Sequence, residues 1–74
     1  MNWTDWIAEN CTDYVTAWYN GIRYTLATMK DGWIAIFEHF NGRLYPMIQA
    51  MDMNKAVSWC IMREPVTVPM ERIC

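Results

Sequence analysis

The sequence predicts an α+β domain in which a four-stranded antiparallel β-meander is flanked by a short N-terminal helix and a C-terminal helix. Asn20-Gly21, Asp31-Gly32 and Asn41-Gly42 each separate apolar runs that are rich in β-branched and aromatic residues. Asn-Gly and Asp-Gly are typical of two-residue type I′ turns, because both central positions need a positive φ. Apolar side chains at helical spacing lie before the first strand and after the last one.

The three turn signals define the strands, which we expect over residues 13–19, 22–29, 33–40 and 43–49. Two-residue turns also predict the register. In the first hairpin Tyr19 should face Ile22, and in the last hairpin Ala35 should face Ile48. The middle connection is either a two-residue turn or a three-residue loop over residues 30–32 with a bulge. Pro46 places the fourth strand at an edge, because proline donates no ladder hydrogen bond.

The two helices are predicted from their caps and apolar positions. The first is expected over 3–12, capped by Asn2 or Thr4, and the second over 52–63, capped by Asp52. The second helix has an apolar stripe with spacing i, i+3, i+4, i+7, i+8. The stripe consists of Met53, Ala56, Val57, Cys60 and Ile61. Pro65 should end this helix, and residues 66–69 should follow as a short edge strand or an extended arm.

With two-residue turns throughout, one face of the sheet forms the core under both helices, and the opposite face does not alternate to polar residues as a solvated face should. That opposite face is rich in aromatic residues, Met and Arg and poor in Lys, as interfaces are. We therefore predict a contact surface formed by Trp18, Arg23, Met29, Ile36, Phe40, Tyr45 and Met47. The alternative is that one helix packs on each face, or that a bulged middle turn exchanges the faces.

Composition excludes several classes of function. The 74 residues suffice for a single domain, 1–74, with a small core. The net charge is −2, and the six basic residues form no cluster of the kind that direct nucleic-acid binding requires. No run approaches the roughly 18 apolar residues of a membrane span. The three cysteines lack the spacing of a disulfide framework or a zinc site, so we expect free thiols and a cytoplasmic location.

The residues indicate no catalysis. His39 is the one histidine, and neighbouring Glu38 should point to the opposite face of its strand, so the two form no dyad. All three glycines are used in turns, which leaves none for a phosphate-binding loop. We therefore expect no catalytic residue, no metal and no cofactor, and thus no enzyme.

The predicted α-β-β-β-β-α order in a short acidic chain resembles, in size and architecture, several phage-encoded inhibitors, among them some anti-CRISPR proteins. The resemblance implies a non-catalytic inhibitor or adaptor that binds a larger protein. A further interpretation is that the predicted surface forms a homodimer. The alternative function is a small homo-oligomeric protein that binds a metabolite or a nucleotide.

Overall fold

Antiparallel strands form one open sheet that lies between two helices. The computed structural model describes residues 2–62 and 68–69. The elements are α1 (Trp3–Asn10), β1 (Cys11–Tyr19), β2 (Ile22–Met29), β3 (Ile34–Phe40), β4 (Arg43–Ala50), α2 (Met53–Met62) and β5 (Val68–Pro69). The strands lie side by side in chain order. The predicted α-β-β-β-β-α order is confirmed, and β5 adds a two-residue strand beside β4.

The two Asn-Gly turns form as the sequence predicts. Asn20 and Gly21 have φ values of 54° and 79°, and Asn41 and Gly42 have φ values of 52° and 74°. Positive φ at both central positions is the signature of the type I′ turn, whose twist matches that of the strands it joins. Both hairpins therefore close on the predicted pairs of flanking residues.

The middle connection is the three-residue loop. The Met29 N–H donates to the Trp33 carbonyl at 2.7 Å, and the Gly32 N–H donates to the Met29 carbonyl at 2.9 Å. This loop places Leu26 opposite Ile36, one residue away from the register of a two-residue turn. Because a shift of one residue moves a whole strand to the opposite face, the predicted grouping of side chains by face is wrong for β3 and for the first part of β4, whereas Ile48 packs with Leu26 as predicted.

A second irregularity lies in β4. The register with β3 follows the prediction as far as Pro46 and then slips by one residue, which leaves Met47 as the extra residue of a bulge. Ala35 consequently lies opposite Gln49 and not opposite Ile48. The prediction that β4 is the sheet edge is wrong at its C-terminal end, where β5 pairs with it.

Each face of the sheet carries its own core, and each helix covers one of them. The α2-side core consists of Tyr24, Leu26, Ile34, Ile36, Ala50, Ala56, Trp59 and Cys60. The α1-side core consists of Ile7, Ala27, Met29, Ala35 and Phe37. The expectation that both helices cover the same face is therefore wrong, and the alternative of one helix on each face is correct.

The first turn of each helix is capped by a side chain at its N-terminus. Asn2 Oδ1 accepts from the Thr4 N–H at 2.9 Å, so Asn2 and not Thr4 is the cap of α1. Asp52 Oδ1 accepts from the Lys55 N–H at 2.8 Å and caps α2, as predicted. These bonds satisfy amide groups that have no partner within the first turn.

The apolar stripe of α2 is only partly the predicted one. Ala56 and Cys60 are buried, whereas Met53 and Ile61 are exposed. Trp59, which the predicted stripe omits, is buried instead, and its ring meets that of Tyr24 edge-on. The predicted stop at Pro65 lies outside the described residues, as do residues 66–67 of the predicted tail.

Candidate protein-binding strip and strand edge

The seven residues of the predicted contact surface do not share one face. Met29 and Ile36 belong to the cores of opposite faces, with exposed fractions of 7% and 0%, and Met47 is half-buried against the α2-side core. Ile36 and Met47 are interior because the middle loop and the β4 bulge change the faces that two-residue turns predict. Met29 lies on the predicted face and is interior because α1 packs on that face. The assignment of these three side chains to an exposed surface is therefore corrected.

The other four predicted residues are exposed, but they form two separate patches. Trp18 lies directly opposite Arg23, as expected, on the face that α1 partly covers. Phe40 and Tyr45 lie on the α2 side, where their ring centroids are 6.3 Å apart.

Helix α1 packs on one face of the sheet and leaves the part of that face nearest β1 uncovered. The rings of Trp3 and Trp6 pack on Phe37, with centroids 5.4 and 6.1 Å away, so the helix lies over the middle of the sheet. Tyr14 and Trp18 on β1 remain 62% and 67% exposed. We call the uncovered residues Tyr14, Thr16, Trp18, Arg23 and His39 the α1-side strip.

A row of hydrogen-bonded side chains crosses the α1-side strip. The hydroxyls of Thr16 and Thr25 lie 3.4 Å apart, and the Thr25 hydroxyl lies 2.5 Å from His39 Nε2. Burial, and then the nearby Arg23 guanidinium, hold the pKa of His39 below its ordinary value. The imidazole is therefore neutral at pH 7, and Arg23 carries the positive charge of the strip.

A cleft of about 560 Å³ opens between α1 and the sheet. It is lined by Thr4, Ile7, Ala8, Cys11, Thr12, Asp13, Tyr14, Thr16, Thr25, His39, Gly42 and Leu44. Among these residues Asp13 supplies the one formal charge at pH 7. Burial, reinforced by the Asp31 carboxylate, raises the pKa of the Cys11 thiol, which disfavours the thiolate that a nucleophile needs.

The described residues contain neither a metal cluster nor a membrane span. Within 2–62 and 68–69, no three His, Cys, Asp or Glu side chains come together to hold an ion. No helix in this part of the chain is both long and apolar enough to cross a bilayer. Cys11 and Cys60 pack on opposite faces of the sheet, so they do not form a bridge with each other, while Cys74 lies outside the described residues.

The outer edge of β1 is a feature that the sequence reasoning missed. In a two-residue hairpin, the two residues that flank the turn donate and accept backbone hydrogen bonds with each other. Along the strands, every second pair is bonded in this way, and the residues between point their backbone groups outward. Tyr19, Ala17 and Val15 therefore bond to β2, whereas the backbone groups of Trp18 and Thr16 point outward. The backbone of Tyr14 points outward too.

One hydrogen bond in the structure agrees with this alternation. The Tyr14 N–H donates to Asp13 Oδ1 at 2.8 Å, which an amide bonded to β2 would not do. The sequence signal for an open edge was available, because the nine residues of β1 contain no Pro and no Lys, the usual protections of an exposed strand.

Comparison with models of known families, with curated proteins and with solved structures finds no match for this chain.

Proposed function

We propose that the chain is a non-catalytic binding module that acts on a larger protein through the α1-side strip, as a small inhibitor or adaptor. The observation that carries the proposal is Trp18, two-thirds exposed on a strand and directly opposite Arg23. Trp and Arg are the side chains that most often dominate the energy of protein interfaces. A largely exposed indole on a sheet face, which the described residues leave mostly uncovered, is an apolar group that a binding partner would bury.

The strip is also well organised for binding. Trp18 and Arg23 form the second pair from a tight type I′ turn, so the hairpin restrains their backbones, which lose little freedom on association. Since His39 is neutral and Arg23 is charged, the partner that fits best offers a carboxylate beside an apolar pocket that receives the indole.

Affinity capture with two matched variants tests the proposal. The tagged chain is used to capture proteins from cells of its native source, in the wild-type form and as Trp18→Ala and Phe40→Ala. Trp18 and Phe40 are similarly exposed aromatic residues on opposite faces, at 67% and 61%. A partner identified by mass spectrometry should be retained by Phe40→Ala and lost with Trp18→Ala, at an expected cost of about 2 kcal/mol or more.

The opposite result decides against the α1-side strip. Retention by Trp18→Ala and loss with Phe40→Ala assigns binding to the α2-side pair of Phe40 and Tyr45. Thermal unfolding of both variants is measured alongside, and melting temperatures near that of the wild type establish that the loss is one of contact and not of fold.

The cleft favours a second candidate function, the binding of a small molecule. Its volume lies within the range of ordinary ligand pockets, and it combines Ile7 and Leu44 with the hydroxyl of Thr25 and the neutral His39. With Asp13 as the charged group of the lining, a neutral or cationic ligand fits better than a nucleotide phosphate. Thermal-shift measurements with a panel of neutral and cationic metabolites test it, since a ligand that stabilises the wild type should not stabilise Ala8→Trp, whose indole fills the cleft.

A further inference from the structure

We propose that β1 is a strand-addition edge and that its partner is β1 of a second copy of this chain, so that two chains form one continuous antiparallel sheet. This goes beyond the proposed function, because the contact is made by backbone groups at the sheet edge and requires no other protein. Strand addition of this kind satisfies unpaired N–H and C=O groups directly and is a common mode of association.

β1 is available along most of its length. Residues 12–16 are exposed, including Tyr14 and Val15, whose side chains lie on opposite faces. Neither helix lies over the strand edge, since α1 packs on the middle of the sheet and α2 packs against the other face. The bulge at Thr12 marks the N-terminal limit of regular pairing, so the regular stretch is 13–19.

Two-fold symmetry selects one register for this stretch. In an antiparallel pair of identical strands, outward-pointing residues must face outward-pointing residues, and one position lies on the symmetry axis. Thr16 is both an outward-pointing residue and the midpoint of 13–19. With Thr16 on the axis, every residue of the regular stretch is paired. A centre at Tyr14 would instead bring the bulge into the ladder.

The side chains in this register are compatible on both faces. Tyr14 lies opposite Trp18 of the second copy on the α1 side, and aromatic cross-strand pairs stabilise antiparallel sheets. Val15 lies opposite Ala17 on the other side. The hydroxyls of Thr16 from the two copies meet at the axis, which joins the Thr16–Thr25–His39 row of one chain to that of the other.

Charge identifies a second copy as the occupant that fits. Asp13 is the one charged residue of β1, and it lies at the end of the regular stretch. In the register centred on Thr16 it faces Tyr19 of the second copy, so the two aspartates are held well apart. The centre of β1 carries no charge, so it favours pairing with another uncharged strand. β1 of a second copy is such a strand.

The existing Asp13 contact restricts association without preventing it. Asp13 Oδ1 accepts from the Tyr14 N–H, so this donor is already occupied in one chain. The bonds between the two Thr16 residues, and those from the Trp18 N–H to the Tyr14 carbonyl of the second copy, form without disturbing it. We therefore expect a reversible dimer whose population depends on protein concentration.

Sedimentation equilibrium of the purified full chain over a concentration series tests the proposal. The wild type should reach twice the mass of one chain. Thr16→Pro removes an outward N–H that β2 does not use, and Thr16→Lys places two like charges at the axis. Each change acts twice in a two-fold dimer, so the dissociation constant should rise by about tenfold or more. Ser58→Lys, on the exposed surface of α2, adds the same charge elsewhere and should leave the dimer intact.

A wild type that stays monomeric throughout the series overturns the proposal, and so does a dimer that survives both Thr16 substitutions. Far-ultraviolet circular dichroism of each variant establishes that it is folded. Should Thr16→Pro unfold the chain, Thr16→Lys decides, because it keeps the backbone N–H. A monomer that still captures a partner through Trp18 contradicts the dimer and leaves the proposed function standing.

Discussion

The two edges of the sheet are built differently. On the β4 side, Pro46 lies where a backbone nitrogen points outward, the bulge at Met47 interrupts the strand, and β5 covers Ile48 and Gln49. On the β1 side, Tyr14, Thr16 and Trp18 point their backbone groups outward within a regular stretch of seven residues, in which Asp13 is the one charge. Edge protection is the rule in folded proteins. Within the described residues the β1 edge lacks this protection and the β4 edge has it, and this contrast supports the association proposed for β1.

The largest expected effect is a difference in stability between substitutions at the centre of the sheet and substitutions on its edge strand β1. Leu26 and Val15 lie opposite each other on neighbouring strands, but Leu26 is buried in the α2-side core and Val15 is about half exposed. Leu26→Ala should lower the free energy of unfolding by about 2–5 kcal/mol, because it leaves a cavity. Val15→Ala should cost about 0.5 kcal/mol or less. Chemical denaturation of both variants measures the difference, and equal losses would mean that β1 belongs to the core.

A smaller effect distinguishes the two sides of β1 itself. Ala17→Pro removes an N–H that bonds to β2 and leaves the carbonyl of buried Tyr24 without that donor, at a cost of about 1–3 kcal/mol. Thr16→Pro removes an outward N–H and should cost clearly less in the monomer. Denaturation at low protein concentration, where the chain is monomeric, provides the comparison. If Thr16→Pro proves the more damaging, the assigned alternation of β1 is wrong.

Asp13 provides a gentler test of the open edge. Asp13→Ala removes the oxygen that occupies the Tyr14 N–H and frees this donor for a second strand. The dimer should become tighter by a factor of about 2–5. Glu9→Ala removes an equal charge from the exposed surface of α1 and serves as the control. Weaker association of Asp13→Ala would show that the carboxylate helps the contact, contrary to the register centred on Thr16.

The smallest expected effect is a pH dependence due to His39. Its pKa is lowered in the folded chain, so the unfolded chain binds a proton first as the pH falls. The contribution of the neutral imidazole to the free energy of unfolding is fully present above the ordinary histidine pKa of about 6.5. It decreases as the pH falls below that value. Between pH 7 and 5 the melting temperature of the wild type should fall more than that of His39→Gln. Parallel curves for the two proteins would contradict the assigned shift.

Local chemistry made much of the fold predictable. Asn20-Gly21 and Asn41-Gly42 define their turns because few other residues tolerate positive φ at both positions. Asp52 identifies the start of α2 for an equally local reason, since its side chain bonds to an amide of the first turn. The element order follows from these signals and is confirmed.

The faces of the sheet were not predictable in the same way. Asp31-Gly32 fits both a two-residue turn and the three-residue loop, because Gly32 has a positive φ of 94° in the loop that forms. Packing decides between them, since the loop places Ile36 opposite Leu26 in the α2-side core. The interior position of Ile36 follows from that choice, and that of Met29 follows from the packing of α1 on the opposite face. Long-range packing of this kind has no signal within a single turn.

Amide hydrogen exchange along β1 tests the central claim most directly, because it reads each backbone N–H of the strand separately. The N–H groups of Val15 and Ala17 bond to β2 and should be protected at every protein concentration. Those of Thr16 and Trp18 should exchange quickly in dilute solution and gain protection as the concentration rises and β1 pairs with a second copy. Rapid exchange of Thr16 and Trp18 at all concentrations would contradict the account, because it would mean that the open edge stays open.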